Sequence, residues 1–334
     1  MTVTVLTSVS QGSSRRPALR TAVLAIVGLS LVLGASSCAR PGLVVPSLTS
    51  TTVMATDATP SETKSPVMPT EATPTAQEGP WLQVWLQANG KPNELPILMY
   101  HYVRDSPPDS NTITPEALES DFKALHDLGY TTVSSDEAIR ILTTNEKPSN
   151  KMVWLTFDDG QDTFYTEVYP RLKKYGLHAT SFIITSNVQK GLQGTLSVDQ
   201  IKEMKASGLA DFQSHTVSHP DLSTASDATQ TKQLGESKAY LDQLLGQDTV
   251  VICYPSGSHN RRTADIAEGL GYKAGVLDPG RTYLGKTAQE VPAISTTGMF
   301  LLNRYRTFSD MDADAMMKKL AAAEDYNTKN TAVD

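Results

Sequence analysis

The stretch Met152-Val153-Trp154-Leu155-Thr156-Phe157-Asp158-Asp159-Gly160 decides the fold. Residues suited to a buried, pleated strand run without a break into two carboxylates and a turn glycine. It is a short apolar run of strand length, one of several separated by helical patterns. Chemically capable residues at its end belong to a parallel α/β architecture, in which the C-terminal strand ends converge on one face and build the active site.

The same pattern repeats on either side. Upstream, PILMYH (96–101) precedes a helix starting near Pro115 with Leu118, Phe122 and Leu125 on one face, and TTVSS (131–135) precedes a short helix through Ile139 and Ile141. Downstream of MVWLTF (152–157) a helical stretch runs through Tyr169, Leu172 and Tyr175. ATSFIIT (179–185) precedes Ser197-Val198-Asp199-Gln200, a capping box ahead of Ile201 and Met204. ADFQS (210–214) precedes a long helix carrying Leu234, Leu241 and Leu245; VVICYP (250–255), YKAGVL (272–277) and VPAIS (291–295) complete the set. Such alternation predicts parallel strands with crossover helices, and seven or eight units in roughly 230 residues is the scale of a (β/α) barrel.

The chain has 334 residues and a net charge of -7. Residues 1–93 carry six Lys/Arg and four Asp/Glu, so the acidity lies in the remainder. An acidic main domain argues against nucleic acid as a partner, because phosphate binding needs a basic surface. The two cysteines, Cys38 and Cys253, are too few for a disulfide-stapled scaffold.

The N-terminus reads as an export signal. Arg15, Arg16 and Arg20 precede the uncharged apolar stretch TAVLAIVGLSLVLG (21–34), too short for a comfortable permanent span. Ala35-Ser36-Ser37-Cys38 resembles a bacterial lipobox, with Ala35 where leucine is usual, and so implies lipidation of Cys38 and an anchor in the membrane. Ordinary cleavage near residues 35–37 is the alternative, and Ser14-Arg15-Arg16-Pro17-Ala18-Leu19-Arg20 also hints at a twin-arginine export signal, without its usual Phe. The expected organisation is a signal peptide over 1–38, a Thr/Ser/Pro-rich disordered tether over 39–93, a catalytic domain over 94–308 and a C-terminal helix and tail over 309–334. Trp81-Leu82-Gln83-Val84-Trp85 either docks on the domain or forms a first strand. The protein is expected to work outside the cytoplasm, on the outer face of the cytoplasmic membrane or secreted, as a monomer.

Several strand-like runs end in reactive residues: PILMY at His101, MVWLTF at Asp158 and Asp159, and ADFQS at His215 with His219 four residues on. VVICYP runs into Ser256-Gly257. Singly, each has a plain structural explanation. Asp159-Gly160 is an ordinary turn dipeptide, two nearby histidines sit on many surfaces, and His101 fits a hydrogen-bonded core position. Four such ends in one barrel are not explained that way.

LTFDDG (155–160) and SHTVSHPDL (214–222) resemble the first two motifs of the polysaccharide deacetylase family, the NodB-homology or carbohydrate esterase 4 domain. The resemblance covers about residues 94–308, and its PILMYHYV-like start is similar to the subgroup of biofilm poly-N-acetylglucosamine deacetylases. It implies a distorted (β/α) barrel that removes N-acetyl groups from an N-acetylglucosamine-containing polysaccharide of the cell wall or an exopolysaccharide. It assigns Asp159, His215 and His219 to a divalent metal. Two imidazoles and a carboxylate suit Zn²⁺, which lowers the pKa of water towards about 7. It makes Asp158 the general base. The family's acid is a histidine late in the chain, in a Leu-x-His motif that is missing after residue 260, and His101 is the expected substitute. Tyr254, Pro255, Ser256 and Arg304 are the expected substrate-side residues, with a backbone N–H near Ser256 facing the oxyanion.

The third motif departs from its Arg-x-Pro-Tyr pattern. It reads Cys253-Tyr254-Pro255-Ser256, so the orienting arginine and the groove aromatic are both missing. Cys253 then reads as a small buried hydrophobe. Arg304 or Arg306 could reach in from the last strand to orient Asp158, or both could lie on the surface. His126 and His178 read as structural, and the role of His259 is open. The rival functions are a carbohydrate-binding envelope lipoprotein with impaired catalysis and a different zinc amidohydrolase of the cell wall.

Overall fold

The structure is a computed structural model that describes residues 94–105, 111–144, 147, 149, 151–283, 285–294, 298–307 and 311–330, with side chains to residue 323. The signal peptide, Cys38, the tether and the Trp81–Trp85 segment lie outside the described residues.

The chain starts with Glu94–Leu95 (β1) and Ile97–Tyr100 (β2), then a small parallel pair, Tyr102–Val103 (β3) and Thr112–Ile113 (β4). Thr114 caps the helix Pro115–Asp127 by accepting the Ala117 N–H, and Pro115 sits in its first turn, where a missing N–H costs nothing. Thr131–Thr132 (β5) and the helix Ser135–Thr144 precede Met152–Phe157 (β6). A π-helical turn, Phe164–Val168, and the helix Tyr169–Tyr175 lead to Ala179–Ile183 (β7). The helices Thr185–Lys190 and Val198–Ala206, the second opened by the Ser197/Gln200 capping box, lead to Ala210–Ser214 (β8). The 19-residue helix Asp227–Leu245 returns to Val251–Cys253 (β9), and the helix Arg261–Gly269 to Ala274–Val276 (β10). A hairpin of Thr282–Tyr283 (β11) and Lys286–Thr287 (β12) follows, then Ala293–Ile294 (β13), Tyr305–Arg306 (β14) and the helix Ala313–Asn330.

The main sheet runs β10-β9-β8-β7-β6-β2-β14, all parallel, with β5 alongside the start of β6. The last segment closes it. Leu302 bridges to Val276 on one edge, and Tyr305 and Arg306 pair with Leu98 and Met99 on the other. This is the distorted (β/α) barrel that the sequence predicts. One strand was misread: Ala293–Ile294, from VPAIS, pairs antiparallel with Glu94–Leu95 outside the barrel. The barrel's closing strand comes later instead, in a two-residue ladder that carries no apolar run.

Side chains alternate between the two faces of the strands. Leu98, Tyr100, Leu155, Phe157 and Phe212 pack with the helices through Phe122, Leu125 and Leu172. Ile97, Trp154, Phe182, Val251, Cys253 and Val276 form a second cluster, joined by Ala138, Ile141 and Leu142 of the helix Ser135–Thr144. Burying two faces per strand requires the unbroken apolar runs seen in the sequence.

Candidate active site

Every reactive strand end named above emerges at the C-terminal end of the barrel. The Asp158 N–H donates to the Tyr100 carbonyl, which ties the end of β6 to β2. Asp159 then takes a left-handed conformation, φ 71°. Gly160 follows with φ 67°, a left-handed conformation that favours glycine, and a Cβ there would press on Ile183 Cδ1 of β7 at 2.9 Å. Among the described non-glycine residues, only Thr216, His219 and Ser256 share a positive φ with Asp159. Such strain costs about 1–3 kcal/mol per residue and gathers where a surrounding scaffold enforces it.

β8 presents His215, whose N–H donates to the Ile183 carbonyl at 2.9 Å. The loop beyond it is held from the side by the helix Asp227–Leu245. Gln233 Oε1 accepts the N–H groups of Val217 and Ser218 at 3.1 and 3.0 Å, and its Nε2 donates to Ser218 Oγ. Thr216 Oγ1 accepts the His219 N–H at 3.0 Å. These bonds set where His219 points. Sequence reading missed Gln233, because a glutamine on a long helix carries no signal of its own.

His215 Nε2 lies 3.5 Å and His219 Nε2 3.8 Å from Asp159 Oδ1. A tetrahedral ion with bonds of about 2.1 Å spaces its ligand atoms about 3.4 Å apart, so this trio has the dimensions of a metal site. The Cys253 carbonyl sits 2.8 Å from His215 Nδ1, which fixes the ring and turns Nε2 towards Asp159. For Asp159, burial pushes the pKa up, but hydrogen bonding and charge from His215 outweigh it and keep the carboxylate ionised. For His219, burial and the charge of His215 both lower the pKa, leaving an imidazole ready to ligate. Asp158, His215 and Cys253 form a second close group. It fits a cation less well, because burial raises the Cys253 thiol pKa and Asp158 is already committed elsewhere.

That commitment is to Arg304. Its Nη1 and Nη2 donate to Asp158 Oδ1 and Oδ2 at 2.7 and 2.8 Å, the two-pronged geometry that suits guanidinium to carboxylate. Arg304 also donates to the Leu277 carbonyl at 2.7 Å and to Thr156 Oγ1 at 3.2 Å, and it is fully buried. Burial alone would raise the pKa of Asp158, yet Arg304, with help from His101 and His215, holds it well below the usual carboxylate range. His101 Nε2 stands 3.7 Å from Asp158 Oδ2, and Cys253 Sγ lies 3.5 Å from the same oxygen.

Of the two candidate arginines, Arg304 reaches Asp158, while Arg306 pairs with Asp278. Arg304 does not touch substrate, because no part of it is exposed. Tyr254 is 1% exposed and Pro255 is buried, so neither offers a sugar a face; only Ser256 of that turn faces solvent. Cys253 is more than a small hydrophobe, since its carbonyl orients His215 and its sulfur touches both Asp158 and Arg304 Nη2. His126 meets the Tyr175 carbonyl and His178 lies 3.7 Å from Asp211, structural places for both. His259 is fixed by the Gly257 carbonyl, and its ring stacks on Tyr254.

Comparison with known proteins gives a consistent result. The family profile described as polysaccharide deacetylase matches residues 145–275, a span that holds Asp158, Asp159, His215 and His219 but neither His101 nor Arg304. The Bacillus subtilis (strain 168) protein YxkH, whose name places it among polysaccharide deacetylases, is 37% identical over 231 residues, covering 69% of this chain and 77% of that one. The poly-beta-1,6-N-acetyl-D-glucosamine N-deacetylase of Staphylococcus aureus (strain MRSA252) is 31% identical over 198 residues, 55% of this chain and 67% of its own. The structure of the Streptococcus pyogenes deacetylase PplD in complex with acetate superposes with a TM-score of 0.64 at 39% identity, over 69% of this chain and 99% of that one. The chain belongs to the polysaccharide deacetylase family.

Proposed function

We propose that this polysaccharide deacetylase is a metal-dependent hydrolase that removes N-acetyl groups from an N-acetylglucosamine-containing polymer of the cell wall or an exopolysaccharide. One observation carries the reading: an ionised, arginine-clamped Asp158 stands 3.7 Å from His101 and next in the chain to Asp159 of the Asp159, His215 and His219 trio. Those three residues would hold the divalent cation, with Zn²⁺ favoured by its preference for imidazole and carboxylate. When bound, the cation supplies Lewis acidity to the acetyl carbonyl and makes water acidic enough to attack near neutral pH.

The chain's own groups complete the reaction. Asp158, fixed by two bonds from Arg304, accepts the proton of the attacking water. The exposed turn at Ser256 offers its backbone N–H to the oxyanion. His101, 3.7 Å from Asp158, gives a proton to the amine nitrogen as the C–N bond breaks, and acetate and a free amine leave. Groups so placed contribute on the order of 10² to 10⁴ in rate each. Arg304 takes over the orienting role that Cys253 cannot fill, which favours an enzyme over a binding protein with impaired catalysis.

The test is acetate release by the full chain from β-1,4- and β-1,6-linked N-acetylglucosamine oligomers and from peptidoglycan, together with metal content. Acetate release that needs zinc and disappears in Asp158→Asn supports the reading. Bound zinc with no release from any of the three substrates refutes it. The chain is further proposed to work outside the cytoplasm, held to the membrane by a lipid on Cys38; Cys38→Ser should move it from the membrane fraction to the soluble one.

A further inference from the structure

The turn that follows β9 keeps its proline but carries Ser256 where the family pattern has an aromatic. No other residue of that turn fills the gap, because Tyr254 is buried and points away, its ring so close to Gly275 that a Cβ there would lie 2.5 Å from the hydroxyl. An aromatic does reach the same place from another element. Tyr283, on β11, donates from its hydroxyl to the Ser256 carbonyl at 3.3 Å. Its ring centre lies 5.4 Å from that of His259, which stacks on Tyr254 at 5.5 Å. Three rings thus climb from the barrel wall to the surface, and the outermost, Tyr283, is half-buried.

The turn beneath this ladder borders the metal-site residues on two sides. The Cys253 carbonyl contacts His215, and Ser258 Oγ accepts the N–H of Leu222, three residues after His219. We propose that Tyr283 is a substrate-binding residue whose ring replaces the missing aromatic and packs against the apolar C–H face of a sugar beside the acetamide under attack. This rests on the deacetylase reading above. The ring is anchored at its hydroxyl and backed by His259, so little freedom is lost when a sugar docks, which is how a single aromatic contributes to binding.

The experiment measures acetate release from a β-1,6-linked and a β-1,4-linked N-acetylglucosamine pentamer by the wild type, Tyr283→Ala and Tyr283→Phe, each checked for its thermal midpoint. Tyr283→Ala should raise KM roughly five- to twentyfold, as expected for the loss of one aromatic contact, with kcat within about twofold. Tyr283→Phe, which keeps the ring and loses the hydroxyl's bonds to Ser256 and Ser258, should stay within about twofold of the wild type in both. An unchanged KM in Tyr283→Ala overturns the proposal. So does a Tyr283→Phe variant as impaired as Tyr283→Ala, because the hydroxyl would then be acting as a loop clamp. If the wild type itself releases no acetate, the deacetylase reading fails separately, and calorimetric binding of the same pentamers to wild type and Tyr283→Ala still decides whether the ring holds sugar.

Discussion

Arg304→Met should do more damage at pH 8 than at pH 4, and the sign of that difference follows from burial. In the wild type the folded-state pKa of Asp158 is depressed, so the pair contributes stability that is present above the ordinary carboxylate value and lost as pH falls through the folded value. Without the arginine, burial becomes the dominant influence on Asp158 and its pKa moves above the ordinary value. The variant should then lose stability as pH rises, the opposite trend. Leaving one partner of a buried ion pair alone costs about 3–5 kcal/mol. The abandoned Leu277 carbonyl adds about 1 kcal/mol more. A deficit of about 4–6 kcal/mol at pH 8 takes up much of the roughly 5–15 kcal/mol that holds a domain folded. At pH 4 a protonated Asp158 should spare about half of it. Urea unfolding followed by the fluorescence of the buried Trp154 measures both values. Asp158→Asn combined with Arg304→Met should regain stability at pH 8, because no buried charge is left. A pH-independent deficit under about 1 kcal/mol would show that the clamp does not hold a buried carboxylate.

Asp158→Asn alone should retain zinc while losing acetate release by at least about 10²-fold, whereas His215→Ala should lose the zinc, as read by metal analysis of the purified proteins. Gln233→Leu should weaken zinc affinity about 10- to 100-fold in a chelator competition, since it frees the loop that aims His219. Gly275→Ala should lower stability by about 1–3 kcal/mol, because its Cβ would meet the rigid, buried Tyr254 ring. Burial raises the pKa of Asp121 to about 7, against a hydrogen bond from Tyr100 that lowers it, so the folded wild type should lose stability as pH climbs from about 4 to 7. Asp121→Asn should flatten that slope by up to about 4 kcal/mol in urea unfolding across the range, the remainder coming from Glu94, which titrates in the same window.

The sequence was most informative where strand and chemistry adjoin. MVWLTFDDG and ADFQSH each encode a buried strand and its reactive end in one unbroken stretch, so fold and candidate ligands were legible together. VPAIS was misread because its apolar content suits an edge pair as well as a barrel strand, and composition does not reveal a partner. Arg304 could be named as one of two candidates but not chosen, since Arg306 stands two residues away and only barrel closure decides which one turns inward. Tyr254 looked like a groove residue from its place in a motif, yet the missing side chain of Gly275 leaves the space that buries it. Gln233 was invisible because its partners are backbone groups, which every residue possesses.

The closing of the barrel has a consequence for when the enzyme can exist. Asp158 and Arg304 are separated by 146 residues, and Arg304 belongs to the last segment to join the ring. Contacts of such long range form late, after the entropy of the intervening chain has been overcome. A growing chain can already hold every proposed metal ligand, yet its Asp158 carboxylate lacks the arginine clamp and faces an open barrel. Assembly of the proposed site is therefore timed by the C-terminal end of the domain, and a chain halted before residue 304 carries every proposed ligand and no arginine to orient Asp158.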